Sequence, residues 1–319
     1  MNYRGRFAPS PTGPLHAGSM VAALASWLDA RANRGQWLVR IEDVDAPRCI
    51  AGVDRLILGQ LAACSLLADE VVPQQSLRGD VYAAALQRLI DKDAVFRCSC
   101  SRKQIAEHWE HVGRARARNE EWPYPGTCRE RPVADTCLIC SIRLRCGTDE
   151  SPIVIEWVDR RLGAQREDIT HSCGDFVVRR SDGLWAYQLA VVVDDAAQAI
   201  SDVVRGADLA DNTARQIHLQ NLLGLPQPRY LHTPLVLGDD GEKLSKQNGA
   251  KAIDTRQPLQ VLNAAGQILG IRSDASTPGD WLAEASRQWS VNFPLPTTPG
   301  ANDQNRPPSA AHKAASMGA

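Results

Sequence analysis

Three groups of residues in the 319-residue chain have the types and spacing to do chemistry. The first is Arg6-Phe7-Ala8-Pro9-Ser10-Pro11-Thr12-Gly13-Pro14-Leu15-His16-Ala17-Gly18-Ser19, a Pro/Gly-rich turn. An apolar approach precedes it, and a helical pattern from Met20 to Arg34 follows. Strand, tight loop and helix start leave backbone N–H groups pointing at an anion, usually phosphate. Proline sets φ, glycine admits close ligand approach, and His16 stands where an imidazole reaches a phosphate oxygen. The second group is Gly241-Glu242-Lys243-Leu244-Ser245-Lys246-Gln247-Asn248-Gly249, whose lysines suit a polyphosphate as point charges. Either loop alone reads as a solvated turn; the pair in one chain argues for a shared polyphosphate. The third group is cysteine: six of the nine fall between residues 97 and 150. Irregular spacing in so large a chain excludes a disulfide scaffold, and close pairs point to metal.

These groups need elements to hold them. Gln36 to Glu42 reads as a strand ending in the acidic cluster Glu42-Asp43-Val44-Asp45, with helical patterns at about 52–68 and 79–93. A βαβ opening predicts a parallel sheet, whose ligands bind at the carboxyl ends of strands. Residues 97–150 have little periodicity until Ser141 to Arg145 and read as a stapled insertion. Beyond it the pattern predicts strands at 153–158 and 175–179 and helices at 187–193 and 210–223. Tyr230 to Leu237 is a further strand, and helices follow at 257–269 and 278–290. The expected organisation is therefore a nucleotide-binding core in two halves, 1–96 and 151–250, around the insertion 97–150. A helical appendage at 251–290 and a disordered Pro/Thr/Ala/Asn-rich tail at 291–319 complete it.

Composition narrows the partners. The chain is 44% hydrophobic and 23% charged, with a net charge of −1, which argues against a general nucleic-acid coat. A local patch would have to hold RNA. Arg114-x-Arg116-x-Arg118, backed by Arg129 and Arg131, is the densest basic run. Glu120 and Glu121 follow it, so a solvated helix face is an equal reading. No apolar run reaches the length of a membrane span, and Met1-Asn2-Tyr3-Arg4 lacks the apolar stretch of a secretory signal. A cytoplasmic protein is expected. Cys49, Cys64 and Cys173 read as small buried hydrophobes.

The two loops together resemble the paired signatures of class I aminoacyl-tRNA synthetases. Pro9 to Ser19 is similar to the HIGH element, with Ser19 in place of its last histidine. Lys243-Leu244-Ser245-Lys246-Gln247 is similar to KMSKS, departing at Leu244 and Gln247. These variants, with Arg40-Ile41-Glu42-Asp43-Val44-Asp45, Tyr187 to Asp195 and Val203 to Leu209, look like the glutamate branch over roughly residues 3–290. About 50 residues of ordered pattern follow the lysine loop. That brevity resembles the stand-alone catalytic-domain paralogues, not full-length glutamyl-tRNA synthetases with their anticodon-binding region.

The resemblance implies a doubly wound parallel-sheet (Rossmann-like) α/β core with a zinc-containing insertion and a small C-terminal helical part. It implies activation of L-glutamate by ATP with Mg2+ and transfer to the queuosine base at the wobble position of tRNA(Asp). The alternatives are a truncated glutamyl-tRNA synthetase charging a tRNA 3′ end, or a non-catalytic tRNA-binding paralogue. By the same resemblance His16, Gly18, Lys243 and Lys246 serve ATP, with His16 and Lys246 catalytic. Arg6 and Tyr187 read the side-chain carboxylate of glutamate, Arg205 faces its α-carboxylate, and Glu42 and Ser10 hold its ammonium. Arginine forks suit such carboxylates because they bind bidentately. Cys98, Cys100, Tyr124 and Cys128 form one structural Zn2+ site. On residue type alone His108 or His111 competes with Tyr124, and Cys137 with Cys140 is a rival pair. A monomer is expected.

Overall fold

A computed structural model describes residues 2–115, 121–131, 133–134, 137, 139–238 and 251–295. Its centre is a seven-stranded sheet. From one edge to the other it runs Glu70–Val71, Gln36–Val39, Arg4–Phe7, Asp202–Gly206, Arg229–Thr233, Val154–Asp159 and Gly163–Asp168. All neighbours are parallel except the last pair, a hairpin. The chain leaves Arg4–Phe7 towards Gln36–Val39 and later fills the opposite side with Asp202–Gly206. That reversal makes the carboxyl ends of these central strands a topological switch point, where ligands of such sheets bind.

Apolar cores on both faces explain the sheet's double winding. Alternation splits Gln36–Val39: Trp37 and Val39 join one core, Leu38 the other. On the first face lies helix Ala17–Ala32, burying Met20, Val21, Leu24 and Leu28 against Leu262, Trp281 and Trp289. The last three belong to helices Pro258–Ile268 and Pro278–Asn292. On the second face Tyr82 and Leu86 pack with Leu189, Val191 and Ile217. The buried carboxylate of Asp29 ties the first face together. It accepts from Tyr3 Oη at 2.5 Å, Arg160 at 2.5 and 2.8 Å, and Trp289 Nε1 at 2.8 Å.

Helix Ala17–Ala32 starts three residues before the expected Met20 because His16 caps it. Its Nδ1 accepts from the amides of Gly18 (3.1 Å) and Ser19 (3.4 Å), and Ser19 Oγ accepts from the His16 amide (2.8 Å). This is a reciprocal capping box. The expected strand Tyr230 to Leu237 stops at Thr233, where Pro234 has no N–H for a ladder. The sequence reading assigns no strand to Asp202–Gly206, although it lies in the middle of the sheet. Charged residues at Asp202 and Arg205 mask its pattern. Both are buried there because each has partners, Asp202 in a double contact with Arg229 at 2.8 and 2.6 Å.

The cysteine-rich stretch folds beside this core. Val95–Cys98 pairs antiparallel with Ser141–Leu144, which pairs in turn with Val177–Arg179. All nine cysteines are free thiols. Cys64 and Cys173 are buried as expected, but Cys49 is only half-buried. It sits at the end of the short turn Ala46–Arg48 and donates its thiol to the Asp45 carbonyl at 3.3 Å. Helix Pro278–Asn292 continues past 290, and the Phe293 ring packs tilted against Trp289, centroids 4.4 Å apart. The expected disorder otherwise falls on residues 296–319, outside the described residues. No helix among the described residues is long and apolar enough to cross a membrane.

Candidate active site

At the switch point lies an open cavity of about 230 Å3. Its walls are the end of the first strand (Arg6, Phe7, Ala8), the start of helix Ala17–Ala32 (His16, Gly18, Ser19) and Tyr187. Val204 to Gly206 and Pro234 to Val236 close the other side. Five residues singled out from the sequence therefore meet here: Arg6, His16, Gly18, Tyr187 and Arg205. Ser10 and Glu42 do not line it. Ser10 is exposed, and Glu42 is buried behind the wall, its carboxylate accepting from Arg40 Nη2 at 3.1 Å. Lys243 and Lys246 lie outside the described residues, as do Arg116 and Arg118.

The capping role of His16 decides its chemistry. With Nδ1 accepting from two backbone amides, the proton of the neutral ring resides on Nε2. The side chain thus brings an N–H donor to a helix start where the dipole favours an anion, the Gly18 and Ser19 amides themselves being taken by the cap.

Two buried arginines face the cavity in opposite electrostatic settings. Arg6 is 3% exposed and its Nε and Nη2 contact Asp195 at 3.0 and 3.2 Å. Asp195 also holds Arg40 Nη1 at 2.7 Å. Burial alone would raise the Asp195 carboxyl, but Arg6 and Arg40 beside it hold it below the ordinary range. Glu42 goes the other way: burial raises it despite the pull of Arg40 and Arg6. Burial likewise raises Tyr187. Arg205, 5% exposed, contacts only uncharged acceptors: His232 Nε2 at 3.1 Å, Gln216 Oε1 at 2.8 Å and Thr213 Oγ1 at 2.9 Å. No carboxylate among the described residues pairs with it.

The sequence reading gives no role to this supporting set of Asp195, Arg40, His232, Gln216 and Thr213, although Arg40 and Asp195 fall in segments that carry the family resemblance. A signal existed for two of them. Asp194-Asp195 interrupts the apolar run Leu189 to Val193, and His232 stands in the strand pattern Tyr230-Leu231-His232. Asp194 anchors the neighbouring segment, accepting from Gln75 Nε2, Arg78 Nε and Tyr82 Oη at 2.8, 2.6 and 2.8 Å.

The cysteine cluster forms a second, separate site. The sulfurs of Cys98, Cys100 and Cys128 all lie within 4.8 Å of one another, with Cys100 and Cys128 at 3.5 Å. Tyr124 Oη is 3.4 Å from the Cys98 sulfur and 3.7 Å from that of Cys100, and accepts from the Cys128 amide at 2.7 Å. A tetrahedral ion with bonds of about 2.3 Å sets its sulfurs about 3.8 Å apart, so these donors fit a metal ion. Cys140 lies apart, its sulfur accepting from Arg97 Nε at 3.1 Å, while the Cys137 carbonyl accepts from Arg97 Nη2. His108 is packed edge-on against Trp109, and neither His108 nor His111 enters the cluster.

A parallel sheet with an anion-directed helix start and a buried arginine at its switch point defines a nucleotide-binding catalytic domain. Residues 2–260 match the family model for class I tRNA synthetases (E and Q), catalytic domain, and the chain belongs to that family. It is 58% identical over 305 residues to a curated protein of Albidiferax ferrireducens named "Glutamyl-Q tRNA(Asp) synthetase", covering 91% of this chain and 99% of the relative. A protein of the same name from Leptothrix cholodnii is 56% identical, with 91% and 97% covered. Among solved structures, a glutamate-tRNA synthetase from Elizabethkingia anophelis superposes with a TM-score of 0.67 at 26% identity, over 78% of this chain. The match spans 53% of that longer protein.

Proposed function

We propose that this protein activates L-glutamate with ATP and transfers it to the queuosine base at the wobble position of tRNA(Asp). The observation that carries the amino-acid half is a balance of buried charge. Around the cavity the buried Arg6, Arg40 and Arg205 are set against the buried acids Asp195 and Glu42. Three cations against two carboxyls, one of them raised by burial, leave at least one positive charge, and Arg205 is the cation with no carboxylate partner among the described residues. Glutamate, with two carboxylates and one ammonium, brings one negative charge. A buried cation without a counter-charge is costly, so a ligand of that charge completes the site.

In this reading a glutamate α-carboxylate oxygen attacks the α-phosphorus of ATP, and pyrophosphate leaves in line. Positioning and charge stabilisation dominate such a step. Arg205 orients the α-carboxylate, and Arg6 with Tyr187 receives the side-chain carboxylate. The ammonium is assigned to the side of Ser10 and Glu42, which stand outside the cavity lining, with the Glu42 amide bonded to the Pro9 carbonyl at 2.9 Å. His16 Nε2–H with Lys243 and Lys246 holds the phosphates, which arrive with Mg2+, and Gly18 lets the adenosine lie against the helix start. An acceptor hydroxyl then attacks the activated carbonyl and releases AMP. Zn2+ in the Cys98, Cys100, Tyr124 and Cys128 set would be a closed structural ion, fixing a segment whose own apolar cluster is small.

The tRNA half is supported by the two relatives aligned over nearly their whole length. Incubation with radioactive glutamate, ATP and tRNA(Asp), followed by nuclease digestion, tests it. Label on the modified anticodon nucleoside is expected. Label on the terminal adenosine would mean 3′-end charging instead, and no ATP–pyrophosphate exchange would mean a non-catalytic RNA-binding protein.

A further inference from the structure

Beside Arg205, outside the lining of the cavity, lies a buried acid–imidazole pair to which the reaction above gives no role. We propose that His232 is a positioning residue for Arg205, acting as an acceptor in a tautomer that Asp159 enforces. The proposal rests on the glutamate-activating reading of the cavity.

Asp159 and His232 are almost inaccessible, at 1% and 0%. His232 Nε2 is 3.1 Å from Arg205 Nε, and His232 Nδ1 is 2.7 Å from Asp159 Oδ2. A guanidinium Nε always carries hydrogen. His232 Nε2 must therefore be the bare, accepting nitrogen, and the ring proton must sit on Nδ1, donated to Asp159. The acid is itself held firmly. Its Oδ1 accepts from the amides of Arg161 and Leu162 at 3.0 and 2.8 Å, and its Oδ2 from the His232 amide at 3.1 Å. The other tautomer would point N–H against N–H. Burial and the neighbouring guanidinium keep the imidazole below its ordinary pKa, against the pull of Asp159.

The consequence for Arg205 is orientation without neutralisation. His232, Gln216 and Thr213 take three of its five N–H donors and fix the plane of the fork. None of the three carries a charge. A carboxylate in the place of His232 would fix the fork equally well but would cancel the charge that the substrate needs. Asp159, one imidazole further away, sets the geometry while leaving Arg205 a cation towards the cavity. This is the outer-partner logic by which a second hydrogen bond selects the working nitrogen of a histidine.

Glutamate-dependent ATP–pyrophosphate exchange by the purified full chain tests this, with thermal melts run alongside. His232→Phe removes the acceptor and is expected to raise the KM for glutamate on the order of tenfold or more, leaving the KM for ATP near wild type. His232→Gln keeps a carbonyl acceptor near the Nε2 position and should retain most of the affinity. Asp159→Asn alone should resemble His232→Phe, because it frees the wrong tautomer. In the His232→Gln background, which has no tautomer to select, Asp159→Asn should add little. A folded His232→Phe with wild-type glutamate KM, or equal rises for glutamate and ATP, would overturn the proposal. If His232→Phe does not fold, the Asp159→Asn effect in the two backgrounds decides, and equal effects in both overturn it. A wild-type chain without any glutamate-dependent exchange would instead overturn the functional reading on which the proposal stands.

Discussion

Arg6 and Asp195, separated by 189 residues, form a buried double contact through Nε and Nη2 at the floor of the candidate active site. The same carboxylate holds Arg40, so one acid serves two buried cations.

Replacing Asp195 by Asn leaves Arg6 buried without a carboxylate partner and Arg40 with Glu42 alone. A loss of about 3 kcal/mol or more in unfolding free energy is expected, measured by urea titration, because breaking a buried pair strands a charge. The pH dependence has a definite sign. The Asp195 carboxyl is depressed in the folded protein, so its contribution is present above the ordinary carboxylate pKa of about 4 and is lost as pH falls below it. Asp195→Asn should therefore flatten the acid limb of the stability profile. An unchanged limb would show that the pair does not contribute.

His16 combines a structural and a chemical role, and two variants separate them. His16→Ala removes the cap and the Nε2 donor together. Adenylate formation should fall by about 100-fold or more, with about 1 kcal/mol lost in stability. Asn is a good cap, so His16→Asn should regain stability but not activity. Recovery of pyrophosphate exchange by the Asn variant would remove His16 from the chemistry. Lys246→Ala should show the same loss of rate at near-normal stability.

Amino-acid selectivity follows from the unbalanced buried charge. Glutamine is electrically neutral and leaves the site one positive charge in excess. Its activation should be weaker than that of glutamate by about 100-fold or more in kcat/KM. Equal exchange rates with the two amino acids would refute the roles given to Arg6 and Arg205.

Metal content should divide the cysteines into two sets. Cys98→Ser, Cys100→Ser and Cys128→Ser should each lower bound zinc, measured by elemental analysis, and loosen the segment. Cys137→Ser and Cys140→Ser should leave zinc unchanged. Loss of zinc in the second set alone would move the site.

The Asp29 knot predicts that the C-terminal helices stabilise the core and do not merely append to it. Asp29→Ala strands Arg160 and frees Tyr3 and Trp289, and should cost about 3 kcal/mol or more. Trp289→Phe keeps most of the packing and loses one hydrogen bond, so about 1 kcal/mol is expected. Similar small losses for both would show the knot to be marginal.

What the sequence determines by itself is local. The Pro/Gly turn with His16, the close pair Cys98 and Cys100, and most helices are written in contiguous residues, because turn conformation, ligand spacing and amphipathic period act over short stretches, whereas Tyr124 as a ligand is implied only by the family resemblance. Tertiary structure alone decides how the buried charges are shared. Arg6 meets Asp195 across 189 residues, and Asp159 meets His232 across 73. In sequence each is an ordinary polar residue. The strand Asp202–Gly206 escaped notice for the same reason, since Arg205 and Asp202 are tolerable inside a sheet only after distant partners arrive. A buried charge is stable only in company, and strand order, which no local pattern encodes, decides which residues keep it company.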